Sequence, residues 1–392
     1  MNTLPRFLLL YAALYAAFGL ASPFTPALLH ERGLGVTSVG AFLALGTAIR
    51  ALSAPAAGRI ADRFAALRPT LSVCAGAAAL ASLLLLVRGP PLLLLAILFL
   101  YSIALAPVAP ISDALTLGAA RPADNSKPPN FRYGWVRGTG SAAFIFGALA
   151  GGQAIALLGF PALLIASAAL LALAALAAWF VPELQREDQE PSSSAARPDF
   201  RAAFTLFRIP AFRRVLVIAA LVLGGHALHD NFAVIRWRAE GIDPRTISIL
   251  WSESVAAEVV VFFFIGEPLL RRIGPAAAAA LAAGAAILRW VVMGATAAVP
   301  AMALIEPLHG LTFALLHLTC MQVLTRTVPR EFAATAQAVY GTVGVGIATS
   351  VLTLISGELY ALFAAHAFWV MAGLSVVALP LTLRLRLSES QS

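Results

Sequence analysis

Three groups of ionisable side chains stand inside segments that are otherwise apolar. Each group could move protons or hold a charged solute. Glu306, His309, Phe313 and His317 lie within about 80° of one face at 100° per residue on a helical wheel. Histidine titrates near neutrality and a buried glutamate can be raised toward it, so a carboxylate–imidazole–ring–imidazole stripe can carry a proton. The alternative for this stripe is hydrogen bonding between helices. His226, His229 and Asp230 share a second face by i, i+3 and i, i+4 spacing and read as a gate or relay, or as a satisfied packing network. Two histidines and an aspartate could bind a metal, but no denser ligand set accompanies them, so no metal and no cofactor beyond a coupling proton is expected. Glu258, mid-way along another apolar segment, is the first choice for protonation; Glu253, five residues earlier, falls on a different face. Asp113 and Arg137 form the third group. The depths of these two differ by only ~3 Å at 1.5 Å per residue, on antiparallel neighbouring segments, which predicts an ion pair. Such a pair either locks two helices or lets Arg137 exchange Asp113 for a substrate carboxylate.

The elements that must position these groups are long and apolar. Hydrophobic residues make up 60% of 392 positions and charged ones 12%, against ~25% charged in soluble domains. About twelve stretches approach the ~20 residues that a bilayer core of roughly 30 Å requires: 6–29, 37–58, 69–87, 91–119, 133–157, 160–181, 213–235, 246–267, 275–295, 299–325, 332–355 and 360–383. The ~10-residue alternation of a membrane β-barrel is absent. An all-α polytopic membrane protein follows. Cys74 and Cys320 are isolated in apolar segments, so no disulfide framework is expected. The first stretch runs from Arg6 to His30, too long for a cleaved signal, and reads as a first span.

Basic residues set the orientation. Nineteen lie in one set of loops and tails, including Arg6, Arg59, Arg63 and Arg68, the group from Arg186 to Arg214, and Arg384. Only Arg32, Arg88, Arg236, Arg238 and Arg245 lie opposite. The positive-inside rule then places both termini in the cytoplasm of a bacterial-type inner membrane. The net charge of +8 is thus a topology signal and gives no reason to expect nucleic acid. The polar stretch 182–212 reads as a cytoplasmic linker between six-helix halves 1–181 and 213–392. A monomer in the bilayer with a small-molecule substrate is expected.

Gly58-Arg59-Ile60-Ala61-Asp62-Arg63-Phe64, between the second and third stretches, resembles the signature loop of the major facilitator superfamily. In that family Gly58 would permit close packing, and Asp62 and Arg63 would form a cytoplasmic charge latch. The later half of the signature is replaced by Ala65-Ala66-Leu67-Arg68. Further segments look like the phenylpropionate permease branch, related to nucleoside and lactose proton symporters. They are Pro110-Ile-Ser-Asp113, Tyr133-Gly-Trp-Val-Arg137, Glu258-Val-Val-Val-Phe262, Leu308-His309-Gly310-Leu-Thr-Phe313 with His317, and Ala336-Gln337-Ala338. Glu306 stands where that branch would have glutamine. The resemblance implies twelve helices in the major facilitator fold and proton-driven uptake of a small organic solute such as an aromatic acid. Arg137, Asp113, His309, Phe313 and Gln337 would contact substrate, and Glu258, Glu306, His309 and His317 would couple protons. Gly147-Ala148-Leu-Ala-Gly151-Gly152 resembles an exporter signature with alanine in place of its proline, which favours uptake. Proton-antiport efflux is the alternative, and a membrane sensor or enzyme is a reading from another class. No catalytic or nucleotide-binding domain is present in the sequence.

Overall fold

The computed structural model describes residues 3–64, 66–120, 130–183, 205–329 and 332–385, with the backbone alone for 51–64 and 334. Every regular element among the described residues is helical. Among the described residues, nine stretches are long and apolar enough to cross a membrane. Two of them, Pro244–Ala295 and Thr335–Thr382, have 52 and 48 residues, each more than twice the ~30 Å core at 1.5 Å per residue. Each breaks where the backbone turns left-handed: at Gly274 (φ 75°) before Pro275, and at Ala364 (φ 48°). Dividing these two and adding the helix Val36–Phe64 yields twelve crossings in the expected order.

Several spans are interrupted where the sequence removes a backbone donor. The first comprises Leu4–Ala21 and Thr25–Glu31 around Pro23; the fourth comprises Pro91–Leu105 and Val108–Ala120 around Pro107. Proline lacks the N–H and clashes with the preceding turn, so a kink is expected at each. The seventh, Pro210–Val222 and His226–Ala239, turns at Leu223–Gly225. One expectation is corrected. The helix of the second span runs on past residue 58 to Phe64, so Gly58, Asp62 and Arg63 sit on a helix and not in a loop. Their side chains lie outside the described residues, as do residues 184–204 of the linker.

The residues form two compact units. The first comprises Met1–Leu28, Leu45–Ser192 and Asp243–Ile249; the second comprises Leu29–Ala44, Ser193–Ile242 and Leu250–Ser392. Phe7, Tyr11, Leu14, Leu71, Leu115, Val136 and Leu171 are core residues of the first. Its first and fifth spans meet backbone to backbone: a Cβ added to Gly147 would lie 2.2 Å from the Ala16 carbonyl oxygen. Gly134 and Gly138, of the same spacing, face open space. The same kind of bond recurs at the helix ends of each unit. Arg6, at the start of the first span, donates to the Phe180 carbonyl at the end of the sixth at 2.9 Å. Arg214, at the start of the seventh, donates to the Arg384 carbonyl after the twelfth at 2.7 Å. In both places a guanidinium meets the carbonyls that a helix C-terminus leaves unsatisfied.

Candidate functional site

The second unit carries one continuous polar network, and its centre is a residue that the pattern of candidate sites did not include. Arg289, the single charge in the ninth span, is fully buried, as is Glu306 on the tenth. Its guanidinium NH2 lies 2.5 Å from Glu306 Oε2. The same NH2 lies 3.2 Å from His229 Nε2, and its NH1 lies 3.1 Å from His309 Nδ1. His309 Nε2 is 3.3 Å from Glu258 Oε2, while His229 Nδ1 is 3.0 Å from Asp230 Oδ1 and its Nε2 is 3.3 Å from Glu306 Oε2. The stripe on the tenth span and the group on the seventh, separate in the sequence, are therefore joined through Arg289.

Partner chemistry fixes where most of the protons sit. Guanidinium only donates, so His309 Nδ1 accepts from Arg289 and the ring proton is on Nε2, aimed at Glu258. His226 Nδ1 faces the Val222 and Leu223 carbonyl oxygens at 3.1 Å each, so it carries the proton there, and Nε2 accepts from the Thr312 hydroxyl at 2.9 Å. His226 is thus a satisfied neutral ring with no vacant position. His229 differs. Its Nε2 can accept from Arg289 or, with a second proton, donate to Glu306, but not both. Glu306 Oε1 has no hydrogen-bond partner among the described residues and holds lone pairs for an incoming water or proton. Two more accessible groups flank this buried centre: Asp230, with 49% of its side chain exposed, and Glu258, partly exposed at 26%.

Aromatic rings wall the network. Trp251 stacks on His229 with centroids 5.1 Å apart, and Phe313 stacks on His309 at 5.5 Å. Arg289 lies 4.8 Å over the Trp290 ring, a contact that offsets some of the burial cost of the cation. His317 bonds Tyr340 Oη at 3.2 Å and packs edge-on to Phe262. The tenth span is not a regular α-helix here. It tightens to a 3-10 turn at Glu306–Leu308 and widens to a π-helix at Gly310–Leu315. A π-segment at Val261–Ile265 of the eighth span lies one turn beyond Glu258. Gly310 lets these two spans touch, since a Cβ there would lie 2.6 Å from the Ala257 carbonyl oxygen. Such wide turns aim side chains differently from a uniform wheel.

The first unit holds the other cluster, and there the expected pairing is corrected. Asp113 makes no ion pair with Arg137 among the described residues. It accepts instead from the hydroxyls of Tyr11 and, at 2.9 Å, Tyr133. Arg137 lies 4.9 Å over the Tyr15 ring, and Tyr15 stacks on Tyr11 and meets Phe18 edge-on. Phenol donors satisfy Asp113 and, among the described residues, leave the guanidinium without a carboxylate. Gln337 is exposed on the helix Ala333–Val339.

The sequence model of the MFS_1 like family matches residues 4–371. The chain belongs to that family, within the major facilitator superfamily. It is 29% identical over 374 residues to the "Probable 3-phenylpropionic acid transporter" of Escherichia coli (strain K12), with 94% of each chain covered. It is 25% identical over 355 residues to the maltose permease of Geobacillus stearothermophilus, covering 90% of this chain and 86% of that one. Its fold is similar to that of a crystal structure of the nucleoside transporter NupG, with a TM-score of 0.84, 17% identity, and coverage of 98% and 99%. The protein is therefore a multi-pass membrane protein of a transporter family. In this facilitator Arg289 is the functional candidate that helical-wheel reasoning passed over. The available signal was its standing as the one charge between Pro275 and Ala295, which membrane insertion costs alone should have flagged.

Proposed function

We propose that this facilitator takes up a small aromatic carboxylate together with a proton across a bacterial-type inner membrane, with both termini cytoplasmic. The observation that carries this reading is the separation of Arg137 from Asp113. A half-buried guanidinium lying on the Tyr15 ring, with no carboxylate partner among the described residues, offers a bidentate seat for a carboxylate beside rings on which an aryl group can stack. The name of the Escherichia coli relative supports the same solute class. For the proton, Glu258 is the acceptor: Arg289 holds the Nδ1 lone pair of His309, so an arriving proton goes to the partly exposed carboxylate. His229, Glu306 and Asp230 form the relay behind it, and His317 stands at its side. The test is accumulation of labelled 3-phenylpropionate in proteoliposomes under an imposed inward proton gradient. Arg137→Gln should abolish uptake and counterflow alike, and retention of full counterflow by that variant would remove Arg137 from the substrate site.

A further inference from the structure

Two arginines are buried among the described residues, Arg289 and Arg236. Glu306 answers the first. The second stands on the last turn of the helix His226–Ala239, 4% exposed, and its Nε and Nη1 have no hydrogen-bond partner among the described residues. A guanidinium only donates, so burial has taken from it the acceptors that water supplied. Arg238, two positions on, differs in being paired with Glu31 at 3.1 Å. The surroundings of Arg236 are aromatic. The Phe368 ring, at the start of the helix Ala367–Thr382, lies 5.8 Å from the guanidinium carbon. Tyr360, near the end of the helix Ala348–Phe363, acts on Arg236 electrostatically, as does Glu240. Glu240 is exposed and forms no ion pair with it among the described residues. Tyr360 stacks on Phe232, one turn before Arg236, with centroids 5.1 Å apart, and its hydroxyl has no hydrogen-bond partner among the described residues. The left-handed turn at Ala364 joins the helices that carry Tyr360 and Phe368. All of these residues belong to the second unit.

We propose that Arg236 is a second seat for an aromatic carboxylate, with the Tyr360 hydroxyl as a further donor and the rings of Phe232 and Phe368 beside the solute's aryl group. The inference rests on the transport reading for its solute class. Arg137 lies in the first unit and Arg236 in the second, so either can be removed without the other. The positive-inside reading puts this end of the seventh span outside the cytoplasm, where the seat would capture solute on arrival. An unpaired buried cation is destabilising, and an apolar residue of similar volume would serve the fold better. The Phe368 ring offsets only part of that cost. A carboxylate would meet it fully, since it accepts from a guanidinium bidentately. A bare inorganic anion would leave the rings unused, and a guanidinium that is 4% exposed offers little surface to a phospholipid headgroup.

The test is binding of 3-phenylpropionate to the purified proteins in maltoside micelles, followed by saturation-transfer NMR with empty micelles as the blank. Binding should persist in Arg137→Gln and in Arg236→Gln and vanish only when both are changed. Tyr360→Phe, made in the Arg137→Gln protein, keeps the ring on Phe232 but loses the hydroxyl, and should weaken binding about 10-fold or more. Complete loss in Arg137→Gln alone would overturn the second seat and leave the Arg137 reading standing. Loss in Arg236→Gln with Arg137→Gln unaffected would do the reverse, and no binding by the wild-type protein would overturn both. Equal binding by Arg137→Gln and the double variant, or unchanged affinity in Tyr360→Phe, would overturn the seat. Displacement by equimolar phosphatidylglycerol would make a lipid headgroup the occupant and overturn it too. Thermal unfolding supplies a second readout. Without ligand, Arg236→Gln should melt no lower than the parent, because it removes an unpaired buried charge, and 3-phenylpropionate should raise its midpoint less. A lower ligand-free midpoint would show that the guanidinium is already compensated and would overturn the seat.

Discussion

Neutralising one side of the Arg289–Glu306 pair should cost far more than neutralising both. The two side chains are each 0% exposed and meet at 2.5 Å. Removing one partner of a buried pair typically costs ~3–5 kcal/mol, because the other charge is left uncompensated, whereas replacing both with apolar groups of similar volume is often near neutral. The two single variants should not be equal. In Arg289→Met, Glu306 retains only His229 as a donor, at 3.3 Å. In Glu306→Gln, Arg289 keeps both histidine contacts and can donate to the neutral amide oxygen in place of the carboxylate. Arg289→Met should therefore lie near the upper end of that range and Glu306→Gln near the lower. At ~2–4 °C per kcal/mol for a unit of this size, Arg289→Met should lower the apparent melting midpoint by roughly 6–20 °C. Arg289→Met/Glu306→Leu should recover most of the loss. The assay is thermal unfolding of the purified proteins in detergent, followed by size-exclusion recovery, with a double-mutant cycle to extract the coupling. Single variants within ~1 kcal/mol of the parent, or a double variant equal to the sum of the singles, would refute the argument that this ion pair organises the network.

Other outcomes follow from the same geometry. Arg137→Lys should retain charge but lose bidentate geometry, raising the half-saturating concentration of 3-phenylpropionate about 10-fold or more, consistent with a charge-assisted hydrogen bond of ~1.5–3 kcal/mol; an unchanged value would place the carboxylate elsewhere. Tyr11→Phe and Tyr133→Phe each remove one donor to Asp113, so either should lower thermal stability by ~1–3 kcal/mol, and stability unchanged in both would contradict the phenol clamp. Cysteines at Ser192 and Ser390 should resist impermeant thiol reagents in intact cells, because the nineteen-to-five basic asymmetry predicts a cytoplasmic location for those segments; ready labelling of either would reverse the orientation.

The spans were legible because the membrane imposes a length and a composition, and proline and glycine mark their breaks. The end of the second span was not. Polarity marks where lipid ends, but backbone hydrogen bonding continues through an alanine-rich stretch to Phe64. Depth along the helices placed Asp113 near Arg137 in level, yet level leaves rotation undetermined. The partners that captured Asp113 include Tyr11, more than a hundred positions away and outside any local spacing rule. On the tenth span a uniform 100° wheel grouped Glu306, His309, Phe313 and His317. The tight turn at Glu306–Leu308 and the wide one at Gly310–Leu315 divide them, so that Glu306 and His309 meet Arg289 while His317 meets Tyr340. Arg289 was readable as a lone charge in an apolar span, but its partners lie on the seventh and tenth spans and only folding brings them together.

The most direct measurement of the central claim is proton movement on substrate addition. Wild-type and Glu258→Gln proteins are reconstituted into liposomes with no imposed gradient, the external pH is followed with an impermeant dye, and protein-free liposomes correct for passive entry of the weak acid. Proton-coupled uptake through Glu258 predicts that 3-phenylpropionate alkalinises the medium with the wild-type protein. Glu258→Gln, fixed in the neutral form, should still exchange substrate in counterflow yet produce no alkalinisation beyond the protein-free control. Substrate uptake by the wild-type protein without proton entry, acidification of the medium, or a full proton signal from Glu258→Gln would contradict the account.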